Sequence, residues 1–189
     1  MEIILASSSP RRQQLLELIG LRFKVVVSQI EEDNTKAIPP HELAMAHAYD
    51  KALDVSKHAP SNAVVIGADT IVVLDGKVFG KPVDQKDAAR MLSALSGREH
   101  TVISGVAVAK GCQIFTDFST TAVKIRKLSP IQVERYIATG EPMDKAGAYA
   151  IQGRGTLLVE SINGCYNNVV GLPLVTLSEL LRQVGVELL

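Results

Sequence analysis

The chain has 189 residues, and its composition of 47% hydrophobic and 21% charged residues is that of an ordinary globular protein. Its 20 Lys and Arg residues balance its 20 Asp and Glu residues, so no net basic charge draws it to nucleic acid or to a membrane surface. Cys112 and Cys165 form neither a CxxC motif nor a Cys/His cluster, which argues against a structural zinc or a disulfide framework. The sequence shows no signal peptide and no apolar run as long as a membrane span. We therefore expect a soluble cytoplasmic protein without nucleic-acid or membrane partners.

The first predicted elements surround a serine-rich turn. Residues 3–6 are typical of a short buried strand, and a helix begins at Pro10 with Ser9 as its N-cap. Because free backbone N–H groups and the helix dipole converge at a helix N-terminus, this turn is suited to binding an anion. Arg11 and Arg12 in the first helical turn oppose that dipole. A polyanion over the turn explains them as well as two solvated side chains do, so both interpretations stay open.

A second strand is predicted at residues 23–27, followed by an acidic loop at residues 31–33, which are Glu31, Glu32 and Asp33. Such a loop is usually solvated, but loop carboxylates are also the ligands that hard cations take. The next helix, predicted from about residue 41 to residue 56, carries Lys51 near its middle. Four histidines lack any metal-binding spacing, and we interpret them as surface or helix-face residues: His41, His47, His58 and His100.

Residues 63–74 form an apolar run rich in β-branched residues, which is typical of a buried strand. Gly67 and Asp69 interrupt this run. Gly67 permits a bulge or the close approach of another backbone. Because burying an unpaired charge costs several kcal/mol, Asp69 needs a partner or an opening to solvent. It is either a strand-end aspartate that caps a turn or a catalytic or metal-binding carboxylate.

The rest of the chain alternates strands and helices. Residues 75–76 (Asp-Gly) predict a hairpin turn that returns the chain to Lys81. Residues 145–155 are punctuated by glycine, but Gly153-x-Gly155 lacks the third glycine of a dinucleotide-binding fingerprint. Further predicted elements are a helix from Asp84 to Gly97, strands 101–109 and 113–125, a helix from Ser129 to Gly140, a strand 156–162, a turn at Asn163-Gly164 and a closing helix from Leu172.

Six segments, in order over nearly the whole chain, carry a family resemblance: Leu5-Ala6-Ser7-x-Ser9-Pro10-Arg11-Arg12, Gly67-Ala68-Asp69-Thr70, Gly80-Lys81-Pro82, Leu95-Ser96-Gly97-Arg98, Asp144-Lys145-Ala146-Gly147-Ala148-Tyr149 and Val170-Gly171-Leu172-Pro173. With these segments the chain resembles the Maf family of nucleoside triphosphate pyrophosphatases. The resemblance implies a cytoplasmic, homodimeric enzyme that uses a divalent cation, Mg²⁺ or Mn²⁺. Its substrates would be non-standard or pyrimidine nucleoside triphosphates.

The resemblance also implies the fold. We expect a single Maf-like domain over residues 1–189, built on a mixed, twisted α/β sheet flanked by helices. Two lobes would surround a central cleft, similar to the inosine triphosphate pyrophosphatases. Because founding members of the family are linked to inhibition of septum formation, the alternative function is a non-catalytic, nucleotide-sensing regulator of cell division.

Three positions bear on the substrate. One branch of the family hydrolyses dTTP and UTP, and another prefers 7-methyl-GTP. The first branch has an arginine that ends the serine-proline turn, a threonine after the key aspartate and a glutamine after the glycine-alanine-tyrosine segment. This chain has Arg12, Thr70 and Gln152 at those places, so the resemblance implies the dTTP/UTP branch. A glutamine amide offers a donor and an acceptor together, which matches the edge of uracil or thymine.

The reaction assigns the remaining roles. Cleavage between the α- and β-phosphates needs an activated water, cations and a fixed triphosphate. Asp69 is the candidate general base, and Glu32 with Asp69 would hold the metal ion. The third acid of the loop, Asp33, leaves open which acid binds it. The candidate triphosphate-binding residues are Ser7, Arg11, Lys51 and Lys81.

Overall fold

A computed structural model describes residues 1–189, and seven strands in it form one mixed sheet flanked by helices. The strands are β1 Ile3–Leu5, β2 Lys24–Val25, β3 Val64–Leu74, β4 Lys77–Phe79, β5 Glu99–Lys110, β6 Gln113–Ile125 and β7 Val159–Gly164. The helices are α1 Pro10–Leu18, α2 Pro40–Ser56, α3 Gln85–Leu95, α4 Pro130–Ile137, α5 Tyr166–Val170 and α6 Leu174–Gln183. Short 3₁₀ helices span Glu141–Asp144, Ala146–Ala148 and Gly153–Leu157.

The strand order is β2-β1-β3-β5-β6-β7, and β4 pairs with β3 outside this path. Strand β1 runs parallel to both β2 and β3, whereas the β3/β4 and β6/β7 pairs are antiparallel. The predicted mixed α/β sheet is therefore confirmed.

The chain divides into two compact units, in line with the two predicted lobes. The first unit comprises residues 1–70, 104–119 and 171–189, and the second comprises residues 71–103 and 120–170. A core cluster of the first unit contains Ile4, Ala6, Ala48, Ala52, Val55, Ala63, Val65, Ala107 and Ala109. The core of the second unit includes Val72, Phe79, Leu92, Leu95, Val123, Ile125, Val133 and Tyr149. The single domain over residues 1–189 stays a prediction.

Helix α2 lies very close to the backbone of two strands because each strand has a glycine at the contact. A Cβ atom on Gly67 of β3 would lie 2.2 Å from the carbonyl oxygen of Ala48. A Cβ atom on Gly105 of β5 would lie 2.3 Å from the carbonyl oxygen of Ala44. No side chain fits at such distances, so the predicted close backbone approach at Gly67 is confirmed. This contact fixes which side chains of α2 meet β3.

Several elements differ from the sequence-based expectations, including the strand predicted at residues 156–162, which begins only at Val159 after a 3₁₀ helix. The strand predicted at residues 23–27 is limited to Lys24–Val25, an exposed edge strand that pairs with β1 alone. The turn predicted at residues 163–164 is wrong, because β7 continues to Gly164, which lies opposite Thr121 of β6. Helix α5 was not expected, since its five residues are too short for a helical pattern to be recognised.

Candidate active site

The buried carboxylate of Asp69 on β3 has two partners on α2. Asp69 is 4% exposed. The Nδ1 atom of His47 lies 3.1 Å from Asp69 Oδ2, and the Lys51 ammonium donates to Asp69 Oδ1 at 2.7 Å. Residues four apart project from the same helix face, and Gly67 brings that face against β3. The expectation that Asp69 needs a partner is therefore confirmed.

Lys51 also joins the acidic loop to this cluster. Its ammonium donates to Glu32 Oε1 at 2.6 Å, so one cation bridges two carboxylates. Asp33 is turned back into its own loop, where its Oδ1 accepts hydrogen bonds from the Thr35 N–H at 2.9 Å and the Thr35 hydroxyl at 2.6 Å. Glu31 is exposed. Of the three acids, Glu32 is the one whose carboxylate reaches Lys51.

The electrostatics of the cluster favour an ionised Asp69. Burial alone would raise its pKa, but the hydrogen bond with His47 and the charge of Lys51 outweigh burial and hold the pKa well below its usual range. The hydrogen bond with Asp69 raises the pKa of His47, against the opposing effect of burial. Asp69 is therefore a carboxylate at neutral pH, as a proton acceptor must be.

His100 corrects the sequence interpretation, which placed all four histidines at the surface or on a helix face, because it is buried on strand β5, whereas His47 does lie on a helix face but is buried there. His47 is 3% exposed, and its second ring nitrogen, Nε2, lies 3.3 Å from the backbone oxygen of Asp33. His100 is 4% exposed, its Nε2 lies 2.7 Å from the Tyr149 hydroxyl, and burial lowers its pKa to about 4. His47 lies four residues before Lys51 on the same helix, and this spacing was the signal that could have placed His47 beside Asp69.

Arg12 organises a second group of predicted residues. Its Nε donates to the backbone oxygen of Gly171 at 2.8 Å, its Nη1 to Ser7 Oγ at 3.1 Å and its Nη2 to Thr70 Oγ1 at 3.2 Å. The Thr70 hydroxyl is also 2.8 Å from the hydroxyl of Ser104, a residue that sequence reasoning missed. Because a guanidinium has five N–H groups, two remain for a ligand once three are used within the chain.

The carboxylates of Glu32 and Asp69 are suited to a divalent cation. No group of three or more His, Cys, Asp or Glu side chains in the chain could hold a metal ion. However, the Lys51 ammonium already shows that a positive charge fits between these two carboxylates. Mg²⁺ commonly takes one or two carboxylates and obtains its other oxygens from water and phosphate. The two converging carboxylates are therefore of the chemical type that such an ion takes.

The other predicted site residues are placed as follows. Arg11 is half-buried in the first turn of α1, Lys81 is exposed after β4, and Gln152 is half-buried just before the Gly153–Leu157 helix. Lys81 and Gln152 belong to the second unit. The structure thus brings together two groups in the first unit, Glu32 with Lys51 and Asp69, and Ser7 with Arg12 and Thr70. The roles of all these residues remain predictions.

The chain is similar to known proteins over its full length. It is 51% identical over 191 residues to a dTTP/UTP pyrophosphatase of Dictyoglomus turgidum, which covers 100% of this chain and 98% of the relative. It is 48% identical over 181 residues to a dTTP/UTP pyrophosphatase of Gloeobacter violaceus, which covers 96% of this chain and 95% of that relative. A crystal structure from Mycobacterium abscessus, described as a nucleoside-triphosphatase / dITP/XTP pyrophosphatase, is also similar. The match covers 68% of this chain and 76% of the chain in that structure, with a TM-score of 0.41 and 17% sequence identity.

None of the helices is both long and apolar enough to span a bilayer.

Residues 2–184 match the family described as Maf-like protein. Because the match covers nearly the whole chain and the relatives are about half identical to it, the chain belongs to this family.

Proposed function

We propose that this chain is a nucleoside triphosphate pyrophosphatase that hydrolyses dTTP and UTP to the nucleoside monophosphate and pyrophosphate. The observation that carries the proposal is the cluster in which Lys51 pairs with both Glu32 and Asp69, found in a chain 51% identical to a dTTP/UTP pyrophosphatase. The buried carboxylate of Asp69 lies beside the Lys51 ammonium, which is carried by a flexible side chain. This arrangement is suited to proton transfer next to a phosphate group.

In the proposed reaction, Asp69 is the general base. A water oxygen forms a bond to the α-phosphorus while the bond from that phosphorus to the bridging oxygen of the β-phosphate breaks. The proton of the water passes to Asp69, and pyrophosphate leaves with the bridging oxygen. Because Lys51 and His47 lower the pKa of Asp69, its basicity would rise if the Lys51 ammonium turned from Asp69 to a phosphate oxygen.

The triphosphate would be held by cations and by the serine-rich turn. Lys51 is the best supported of the cations, since its ammonium lies against Asp69. Arg11 and Lys81 are proposed to neutralise further phosphate oxygens, as the family resemblance implies. Ser7 would contribute its hydroxyl, which now accepts a hydrogen bond from Arg12. Such charge-assisted hydrogen bonds are roughly twice as strong as neutral ones.

Glu32 and Asp69 are proposed to hold Mg²⁺ or Mn²⁺. When bound, such an ion neutralises phosphate charge and lowers the pKa of a coordinated water. The two side chains belong to different segments, the acidic loop and β3, and both already face the Lys51 ammonium. That convergence supports the choice of Glu32 over its two acidic neighbours.

The base would be read by Arg12, Thr70 and Gln152. Arg12 and Thr70 are held in a fixed arrangement by their mutual hydrogen bond and by Gly171. A polar site that pairs with the edge of uracil or thymine rejects a purine strongly, because a mismatched base leaves buried polar groups unpaired. Tolerance of both dTTP and UTP requires space for the thymine methyl and indifference to the ribose hydroxyl.

Two further features are proposed from the family resemblance, a homodimer and a cytoplasmic location. Light scattering of the purified protein would report the oligomeric state directly. A mass equal to the 20.3 kDa chain would contradict the dimer.

The substrate proposal is tested with a panel of nucleotides. Pyrophosphate and monophosphate are measured with dTTP, UTP, CTP, ATP and GTP, each with Mg²⁺ and with Mn²⁺. We expect the highest kcat/KM with dTTP and UTP. Equal rates with the purine triphosphates would overturn the assigned base selectivity while leaving the pyrophosphatase activity in place.

A further inference from the structure

The loop that contains Gln152 is held by a carboxylate on one side. Residues 150–156, which run into the Gly153–Leu157 3₁₀ helix, are called the Gln152 loop. Glu141 Oε2 accepts a hydrogen bond from the N–H of Arg154 at 3.0 Å, and Glu141 Oε1 accepts one from the N–H of Gly155 at 2.9 Å. Burial alone would raise the pKa of Glu141, but these N–H groups hold it below its usual value. An ionised acceptor therefore fixes the chain immediately after Gln152.

A phenol holds the other side of the same loop. The hydroxyl oxygen of Tyr136, which is 5% exposed, accepts a hydrogen bond from the Ala150 N–H at 3.1 Å. The same hydroxyl donates to Glu141 Oε1 at 2.8 Å, so the two side chains act as one connected clamp. The amide side chain of Gln152 takes part in none of these bonds. The backbone is thus fixed before and after Gln152.

The two glycines of the loop are explained by this clamp. A Cβ atom on Gly153, whose φ is +63°, would lie 2.7 Å from Glu141 Oε2. A Cβ atom on Gly155 would lie 2.0 Å from the backbone oxygen of Ala150 and 2.8 Å from the Tyr136 hydroxyl. Larger residues would push both clamp side chains away. The Gly153-x-Gly155 pattern therefore serves the closure of the clamp and is not a nucleotide fingerprint.

We propose that Glu141 and Tyr136 are positioning residues that set base selectivity by fixing the backbone on both sides of Gln152. This inference rests on the proposed function, in which Gln152 reads the base. Small displacements of a hydrogen-bonding group remove most of its discrimination, because the bond depends on distance and angle. A purely stabilising clamp would instead affect all nucleotides equally.

The test measures kcat and KM with UTP and with GTP for Glu141→Gln, Tyr136→Phe, Gln152→Ala and the Glu141→Gln/Gln152→Ala double variant. We expect each clamp variant to lower the UTP/GTP ratio of kcat/KM about ten-fold, through the UTP value and mainly through KM. In the Gln152→Ala background, Glu141→Gln should have little further effect on that ratio, because the residue it positions is gone.

Matched controls are Glu160→Gln and Tyr166→Phe, both at exposed positions of the second unit. They should leave the UTP/GTP ratio unchanged, and circular dichroism confirms that each variant is folded. Either clamp variant tests the proposal by itself, so failure of one to fold leaves the other to decide.

An unchanged ratio in the folded clamp variants, with a lowered ratio in Gln152→Ala, would overturn the clamp proposal and leave the proposed function intact. The clamp proposal would also be overturned if Glu141→Gln lowered the UTP/GTP ratio as much in the Gln152→Ala background as in the wild type. A ratio that Gln152→Ala does not change would remove the base-reading role of Gln152, and the clamp proposal would fail with it.

Discussion

The imidazole Nδ1 of His47 lies 3.1 Å from the Oδ2 atom of Asp69, so a helix residue supports the buried carboxylate of the neighbouring strand. The second ring nitrogen of His47 faces the backbone oxygen of Asp33, which adjoins Glu32 in the acidic loop. One side chain therefore links the candidate base to the loop that carries the candidate metal ligand.

Replacing His47 tests this link. In His47→Leu, Asp69 loses a hydrogen bond that lowers its pKa, so the acid limb of the pH profile of kcat/KM should move to higher pH. The loss of a bond to a buried carboxylate should also lower the free energy of unfolding by about 1–3 kcal/mol at pH 7. His47→Gln keeps an N–H donor and should recover part of both effects. His58→Gln, at an exposed position, is the control. A pH profile that does not move in His47→Leu would contradict the link.

Replacing Lys51 should affect every nucleotide alike. Lys51→Gln removes the ammonium that lies between Glu32 and Asp69 and that is proposed to bind phosphate. We expect KM for UTP and for GTP to rise by a similar factor, of about ten or more, because the triphosphate is common to both. Lys124→Gln removes a partly exposed lysine that pairs with Glu160 of the second unit, and it should change neither value. A loss confined to UTP would place Lys51 at the base instead of the phosphates.

The acidic loop offers a comparison of three neighbouring acids. Glu32→Gln should raise the Mg²⁺ concentration needed for half-maximal activity, because one of two carboxylate ligands becomes a weaker amide oxygen. Glu31→Gln is a matched change one residue away and should leave that concentration unchanged. The measurement is a Mg²⁺ titration at saturating UTP, with thermal unfolding to confirm the fold. A higher requirement in Glu31→Gln or Asp33→Asn instead would mean that another acid of the loop binds the metal.

The histidine buried against Tyr149 makes stability depend on pH. Burial lowers the pKa of His100 from 6.5 to about 4, so between these values the unfolded chain binds a proton that the folded chain does not. The contribution of neutral His100 to the free energy of unfolding is fully present above pH 6.5. As the pH falls toward 4, this contribution is lost and the free energy of unfolding decreases by up to about 3 kcal/mol. Chemical denaturation at pH 7 and pH 5 measures the loss. His100→Gln should show a smaller difference between the two pH values, whereas a difference equal to that of the wild type would exclude His100 as its cause.

Local patterns in the sequence were sufficient to place Asp69 on a buried strand and to indicate the close approach at Gly67. The resemblance also selected Lys51, which does contact Asp69. His47 was missed because its burial depends on how α2 packs over β3, and histidine is found both buried and exposed in folded proteins. The Glu141 clamp was missed for the same reason, since its hydrogen bonds join residues 13 and 14 positions apart. Long-range contacts of this kind leave no periodic signal in a sequence.

The most direct test of the proposed function is the release of pyrophosphate from UTP by the wild type and by Asp69→Asn, measured side by side with Mg²⁺. Asparagine keeps the shape of the side chain but cannot accept the proton, so kcat should fall by roughly 10²–10⁴-fold while the protein remains folded. Near-normal turnover in Asp69→Asn would contradict the assignment of Asp69 as the base. Absence of pyrophosphate release by the wild type, with UTP and with dTTP, would contradict the proposed function itself.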